Sequence, residues 1–217
     1  DYKKEVGRKA IHLSSLLFIV IYIIGAWLFS HNTALIILGI ILTFLIEIEY
    51  LRIELKYKIP LLSKLWKFKR AKERQRLGGE VFFLIGAIIC LALLDFRIAV
   101  AAILMTTFGD LVAALVGRLG KIKIFSFKTL EGILAEFIVD LFIGFLFVRT
   151  LVNGQIGWLT FNFSGQPIWS VIIIMALTAT IVETLVFKID DNLLIPLFSG
   201  INGQIVLLIV SAISNFI

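Results

Sequence analysis

Long apolar stretches alternate with short polar connections along the whole chain of 217 residues. An α-helix rises 1.5 Å per residue, so about 20 apolar residues cross the ~30 Å hydrocarbon core of a bilayer. Stretches near this length, the third slightly short, cover approximately residues 10–29, 33–50, 80–94, 98–117, 131–152, 168–187 and 193–217. The pattern predicts an all-α, polytopic integral membrane protein with about seven transmembrane helices, forming a single transmembrane domain over residues 1–217.

Composition supports the same interpretation, since 60% of the residues are hydrophobic and the mean hydropathy is +1.04. Both values lie far above those of ordinary soluble domains.

Nineteen of the 21 lysines and arginines fall in connections on one side of the predicted helices, and only Arg97 and Arg149 fall on the other. Cytoplasmic loops carry the excess of Lys and Arg, so we expect the N-terminus in the cytoplasm and the C-terminus outside. The net charge of +6 is explained by this topology, and no nucleic-acid partner is predicted.

Ten of the cations lie in one connection, residues 52–79. After Pro60 its apolar residues share one edge of a predicted short helix, while lysines point elsewhere. This pattern is typical of a helix that lies in the membrane interface. We expect this basic cytoplasmic connection to contact anionic lipid headgroups.

The stretch Thr107–Gly132 combines an intramembrane acid with a loop rich in glycine and lysine. Asp110 lies beside a small-residue stripe, Gly109, Ala113 and Gly117, which lets a neighbouring helix approach closely. A carboxylate at this depth needs a cation, a metal or water. Residues 118–130 then form a loop that lacks the Walker A spacing but has the backbone freedom and the cations that a polyphosphate needs. The loop is therefore either a topology signal or a nucleotide-binding site.

The fifth apolar stretch places Gly132, Glu136, Asp140 and Gly144 on one helical face, because these residues recur every four positions. Two carboxylates at this spacing destabilise a helix unless a cation lies between them. A divalent metal, the lysines of the preceding loop, or basic side chains of other helices would each supply it.

Two further polar groups lie near the predicted cytoplasmic boundary. His12 is one turn inside the first helix and must find a partner there. Glu183 precedes a polar turn that contains Asp190, Asp191 and Asn192. Such a turn suits a hard cation, but it equally suits a cap of the last helix.

Four segments, EVGRKAIH (Glu5–His12), GDLVAALVGRLGK (Gly109–Lys121), KTLEG (Lys128–Gly132) and ETLVFKIDDNLLIPL (Glu183–Leu197), resemble in order those of a known family. The family is that of the CTP-dependent lipid-alcohol kinases: dolichol or polyprenol kinases, phytol kinases and the CTP-dependent diacylglycerol kinase. The central block is also similar, more distantly, to CDP-diacylglycerol synthases, which consume CTP as well.

The resemblance implies a kinase that phosphorylates a membrane isoprenoid alcohol of the polyprenol, dolichol, geranylgeraniol or phytol class at the cytoplasmic face. It implies Mg²⁺ as cofactor, held by Asp110 with Glu136 or Asp140. The implied CTP-binding residues are Gly109, Gly117, Arg118, Gly120, Lys121, Lys128, Thr129, Glu131, Gly132 and Asn192. The catalytic candidates are Asp110 and, as acceptors of the alcohol proton, Glu183, Asp191 and His12.

Two other functions stay open at this point. One is a cytidylyltransferase, in which a lipid phosphate attacks the α-phosphorus of CTP and pyrophosphate leaves. The other, of a different class, is a small ion-coupled transporter that uses the buried acids as a relay. We expect the protein in a prokaryotic cell membrane, or in the endoplasmic reticulum of a eukaryote, and the sequence leaves its oligomeric state open.

Overall fold

The computed structural model describes residue 13 and residues 15–55, 76–125, 128–150, 165–186 and 189–214. The helices are α1 (Leu16–Leu28), α2 (His31–Ile53), α3 (Gly79–Leu93), α4 (Phe96–Leu104), α5 (Asp110–Gly117), α6 (Leu130–Phe147), α7 (Trp169–Leu185) and α8 (Asp191–Ser214). A π-helical turn, Met105–Gly109, joins α4 to α5, so residues 96–117 form one continuous helix. Two short strands, β1 (Lys123–Phe125) and β2 (Lys128–Thr129), pair antiparallel before α6.

Each predicted apolar stretch contains a helix in the part of the chain that the structure describes, which confirms the all-α, membrane-type prediction. Within the same residues, three helices are long and apolar enough to cross a membrane: α2, the continuous α4–α5 helix and α8. The apolar helices α1, α3 and α7 are shorter. Helix α6 has 18 residues but carries Glu131, Glu136 and Asp140. Seven spans and a cytoplasmic N-terminus therefore stay predictions.

Large apolar side chains cover the outer faces of these helices. Examples with 41–64% exposure are Leu17, Ile36, Ile138, Leu177 and Leu208. Soluble monomers rarely expose apolar side chains over so many elements, whereas lipid tails cover such surfaces. The exposed faces therefore agree with a membrane environment.

The chain divides into two compact units, residues 1–88 and 89–217. In the first unit, α1 and α2 form a hairpin. Ser30 caps α2 by accepting a hydrogen bond from the backbone amide of Thr33. The hydroxyl of the fully buried Tyr22 lies 2.7 Å from Nδ1 of His31, and Gly25 lets α1 approach α2 at Ala34. The turn and these contacts hold the two helices together.

A buried carboxylate in the first unit joins the two ends of the basic connection. Glu49 is 2% exposed, accepts a hydrogen bond from the backbone amide of Gly78 at 2.8 Å, and forms an ion pair with Arg52. Arg52 also donates to the carbonyl of Arg76 at 2.8 Å. The end of α2 and the start of α3 are thereby tied to each other. The interfacial helix predicted after Pro60 lies outside the described residues.

In the second unit, the α4–α5 helix runs antiparallel to α6. Helices α7 and α8 come next along the chain. The close approach depends on glycines: a Cβ on Gly132 would lie 2.8 Å from the carbonyl of Ala113 and 2.9 Å from the Cα of Gly117. A Cβ on Gly144 would lie 2.7 Å from the Ile172 side chain on α7. The predicted small-residue stripe on α5 is therefore confirmed as a packing surface against α6.

The two cations predicted on the outer side, Arg97 and Arg149, lie at the same end of the second unit. Arg97 is 7% exposed, pairs with Asp95 at 2.8 Å and donates a hydrogen bond to the carbonyl of Arg149. Asp95 also caps α4 by accepting from the backbone amide of Arg97. Because α4–α5 and α6 are antiparallel, this end is opposite the 118–130 loop. Both arginines therefore lie at the opposite end of these helices from the loop cations, and the side of the membrane stays a prediction.

Candidate active site

Asp110 is the first residue of α5 and follows the π-helical turn directly. Thr106 and Thr107, both fully buried, donate their hydroxyls to the carbonyls of Ala102 (2.8 Å) and Ile103 (3.1 Å). A π turn adds a residue to the helical repeat and rotates the residues that follow, and such turns occur frequently at functional sites. The turn therefore sets the direction in which the side chain of Asp110 projects from the helix.

Asp140 packs against the backbone of this turn. A Cβ built on Gly109 would lie 2.7 Å from Asp140 Oδ1 and 3.3 Å from Glu136 Cγ, so neither carboxylate side chain would tolerate a larger residue there without moving. Asp140 is 0% exposed, and both of its carboxylate oxygens lack a hydrogen-bond partner among the described residues. A buried carboxylate in this state is energetically costly.

The predicted polar face of α6 points inward. Gly132, Glu136, Asp140 and Gly144 are all buried. The two glycines contact α5 and α7, and the two acids lie between them in sequence. Helical spacing therefore identified this face correctly from the sequence.

Lys128 forms an ion pair that the sequence did not predict. Its Nζ lies 2.9 Å from Glu183 Oε1 and also donates to the backbone carbonyl of Glu183. The side chains of Lys128 and Glu183 are only 17% and 9% exposed. Strand β2 and α7 are thus joined by a largely buried charge pair at the end of α6.

Four acids share this region, and we call them the carboxylate cluster: Asp110, Glu136, Asp140 and Glu183. Glu136 interacts electrostatically with the other three acids and with Lys128. Glu183 is acted on by Asp110, Asp191 and Lys128. The predicted metal ligands and Glu183, one of the predicted proton acceptors, are therefore within electrostatic range of one another.

Thr129 and Glu131 hold the backbone of the 118–130 loop. Thr129 caps α6 by accepting from the amide of Gly132 (3.3 Å), and it donates to the carbonyl of Gly117 (3.0 Å). Glu131 Oε1 accepts from the amides of Lys121 (2.8 Å) and Ile122 (3.2 Å). Both side chains, predicted to bind CTP, are engaged with the loop itself.

The loop glycines are engaged in a similar way. The amide of Gly120 donates to the carbonyls of Val116 and Gly117, and that of Gly132 donates to Thr129. A phosphate could use these amides only after those hydrogen bonds opened. Arg118 and Lys121 are exposed cations of the loop, and Lys123 of β1 is exposed as well.

The polar turn before α8 caps that helix, with Asn192 donating from its backbone and its side chain to Asp190 Oδ1 at 3.2 and 2.8 Å. This geometry favours the cap over the cation site for Asp190 and Asn192. The charge of Asp191 nevertheless acts on Glu183.

One predicted residue and one unpredicted residue complete the description. His12 lies outside the described residues, so its role stays a prediction. Thr184, next to Glu183, is 9% exposed, and its hydroxyl has no hydrogen-bond partner among the described residues. Its position beside an acid near the end of an apolar helix was the only sequence signal for it.

The carboxylate cluster suits a hard divalent cation, because its oxygens are of the kind such ions prefer and those of Asp140 have no hydrogen-bond partner among the described residues. Within the described ranges, no three His, Cys, Asp or Glu side chains converge as ligands of one metal. Mg²⁺ is usually bound by one or two carboxylates together with substrate phosphates, so a three-acid cage is not required. Asp110, Glu136 and Asp140 stay the predicted ligands.

The chain is 32% identical to the uncharacterized protein MJ1137 of Methanocaldococcus jannaschii over 214 residues, covering 93% of this chain and 95% of that protein. It belongs to the same family as that protein. It is also a distant homologue, 28% identical over 210 residues and 91% of each chain, of a Schizosaccharomyces pombe protein named CTP-dependent diacylglycerol kinase 1. Both similarities extend over nine-tenths of the chain, so they are not confined to one motif.

No protein-family model matches the chain, and no solved structure matches it significantly.

Proposed function

We propose that this chain is a CTP-dependent lipid kinase that phosphorylates the hydroxyl of a membrane isoprenoid alcohol at the cytoplasmic face. The observation that carries the proposal is the carboxylate cluster with Lys128 at its edge, next to the exposed cations of the 118–130 loop. This arrangement combines groups for a metal, a polyphosphate and a proton. The similarity to a CTP-dependent diacylglycerol kinase supports the nucleotide and the lipid class of the acceptor.

The loop is proposed to bind the triphosphate. Arg118 and Lys121 are exposed where the α4–α5 helix ends, about two helical turns beyond Asp110. Glu131 and Thr129 hold the loop backbone, so these cations are presented from a defined position. A preorganised cationic loop stabilises phosphate charge without reorganising during the reaction.

Asp110, with Glu136 or Asp140, is proposed to hold Mg²⁺. A bound Mg²⁺ would neutralise phosphate charge and orient the oxygens of the triphosphate. The protein's own contribution is to keep these carboxylates together, which α6 and the π turn do through the contacts of Gly109 and Asp140.

In the proposed transfer, the lipid hydroxyl oxygen forms a bond to the γ-phosphorus of CTP. The bond from that phosphorus to the β,γ-bridging oxygen breaks, and CDP leaves. The hydroxyl proton passes to a carboxylate, for which Glu183 is our first candidate because Lys128 holds it by an ion pair and both Asp110 and Asp191 are within electrostatic range of it. The apolar tail of the lipid would stay in the bilayer beside the exposed apolar faces of the helices.

Label transfer in detergent tests the proposal. The purified protein is incubated with Mg²⁺, with CTP labelled at either the γ- or the α-phosphorus, and with isoprenoid alcohols, diacylglycerol or phosphatidate. We expect label from γ-labelled CTP, and none from α-labelled CTP, in the isoprenoid lipid, and we expect Asp110→Asn to abolish the transfer. Phosphorylation of diacylglycerol alone would support the kinase but contradict the isoprenoid acceptor. Incorporation of α-label with pyrophosphate release would indicate the cytidylyltransferase, and no CTP turnover with any lipid would contradict both enzymes.

A further inference from the structure

Lys128 lies among negative charges rather than at the tip of the loop. Its ammonium pairs with Glu183 and also acts on Glu136, which in turn is acted on by Asp110 and Asp140. The lysine side chain is only 17% exposed. The pair is therefore a largely buried charge contact, where Coulomb interactions are much stronger than in water.

The same cluster contains an acid that has no hydrogen-bond partner in the part of the chain that the structure describes. Asp140 is 0% exposed, its two oxygens lack hydrogen-bond partners among the described residues, and Oδ1 points at the backbone next to Asp110. A buried carboxylate without a partner favours the arrival of a cation. The cluster therefore holds one ammonium at its Glu183 side and an unsatisfied acid at its Asp140 side.

We infer that Lys128 is the internal counter-cation of the carboxylate cluster, and that it competes electrostatically with the divalent cation for the same negative charge. When a divalent cation binds, the ammonium is repelled and its ion pair with Glu183 weakens. Lys128 then becomes available to a phosphate oxygen, and Glu183 becomes available to the acceptor hydroxyl. The inference rests on the proposed function for the divalent cation in this cluster and for the phosphate and the acceptor hydroxyl that follow it.

The inference predicts that metal affinity changes in a direction that a purely structural role of Lys128 would not produce. If Lys128 only stabilises the fold, replacing it weakens metal binding or leaves it unchanged. If it competes with the metal, replacing it by a neutral residue strengthens metal binding, because a repulsive charge has been removed. At an effective dielectric constant near 20, two unit charges about 4 Å apart interact strongly enough to change an affinity roughly a thousandfold, so about tenfold is a lower bound for a charge within the cluster.

The experiment measures Mn²⁺ binding to the full chain in detergent by electron paramagnetic resonance, with neither nucleotide nor lipid present. We expect Lys128→Met to bind Mn²⁺ at least about tenfold more tightly than the wild type, and Lys128→Arg to bind it like the wild type. Lys123→Met is the matched control, since Lys123 is an exposed lysine of β1 and its loss changes the net charge equally. Unchanged or weaker binding by Lys128→Met, equal strengthening by Lys123→Met, or no Mn²⁺ binding by any of these proteins would overturn the inference.

A measurement on the unaltered protein covers the case in which Lys128→Met does not fold. Lysines are acylated with an amine-reactive ester with and without Mg²⁺, and modification is quantified for each residue by mass spectrometry. We expect Mg²⁺ to increase the modification of Lys128 severalfold and to leave that of Lys123 unchanged. No increase at Lys128 would overturn the inference. Neither measurement uses CTP, so a failure here is distinguishable from failure of the label-transfer assay.

Discussion

The carboxylate of Glu131 and the backbone amide of Lys121 are 2.8 Å apart, so the first turn of α6 holds the loop that precedes it. Lys121 is a predicted phosphate ligand. The position of its side chain depends on an acid ten residues further along the chain, because that acid holds its backbone amide. We therefore propose that Glu131 acts as a positioning residue for this loop.

Replacing Glu131 by Gln should weaken CTP binding through this loop. The amide keeps one acceptor but loses the charge that strengthens both hydrogen bonds. We expect KM for CTP to rise by about two- to tenfold, as the loss of one net hydrogen bond implies, with a smaller change in kcat. Steady-state kinetics of label transfer check this, with Glu47→Gln, an exposed acid of α2, as control. An unchanged KM would contradict the positioning role.

Thr129 should contribute to stability through its hydroxyl. Thr129→Ala removes the cap of α6 and the bond to the Gly117 carbonyl, and loss of such a cap costs about 1 kcal/mol in unfolding free energy. Thr129→Ser keeps the hydroxyl and should behave like the wild type. Denaturation of both variants in detergent compares them directly. Equal losses in the two variants would show that the methyl group, not the hydroxyl, matters.

Gly109→Ala should disturb the site although alanine favours helices. The new Cβ would lie 2.7 Å from Asp140 Oδ1, so the carboxylate or the π turn must move. We expect a loss of transfer activity together with lower thermal stability. Gly39→Ala is the matched control: no atom of the described residues lies within 4 Å of its Cβ position, and this substitution should stabilise the protein by about 0.5–1 kcal/mol. Similar effects of the two substitutions would contradict the packing argument.

Asp140→Leu should change stability and activity in opposite directions. Without a divalent cation, the substitution removes a fully buried carboxylate whose oxygens lack partners among the described residues. We expect the unfolding free energy to rise by about 1–3 kcal/mol, the usual cost of an unsatisfied buried polar group. Kinase activity should fall, since a predicted metal ligand is lost. A destabilised variant in metal-free detergent would show that Asp140 has a partner of structural importance.

Orientation in the membrane can be tested with single cysteines. The chain has one cysteine, Cys90, which is fully buried and should not react. Lys123→Cys and Thr150→Cys place thiols at exposed residues at opposite ends of α6. We expect an impermeant maleimide to label Thr150→Cys in intact cells, and Lys123→Cys only after permeabilisation. The reverse pattern would contradict the cytoplasmic loop.

The positions of the helices and the inward face of α6 could be read from the sequence. Apolar runs of membrane length form helices because backbone groups must bond internally in lipid. The spacing of Gly132, Glu136, Asp140 and Gly144 places them on one face of any α-helix, whatever surrounds it. These properties depend on local geometry alone.

Only the tertiary structure decided which charges meet and which residues hold the loop. Lys128 and Glu183 are 55 residues apart, and the packing of α6 on α7 brings them together. The sequence predicted Thr129 and Glu131 as nucleotide-binding residues. It could not predict their hydrogen bonds to the loop backbone, because those depend on the shape of the turn. Helical periodicity specifies the face on which a side chain lies, whereas its partner depends on chain segments that are distant in sequence.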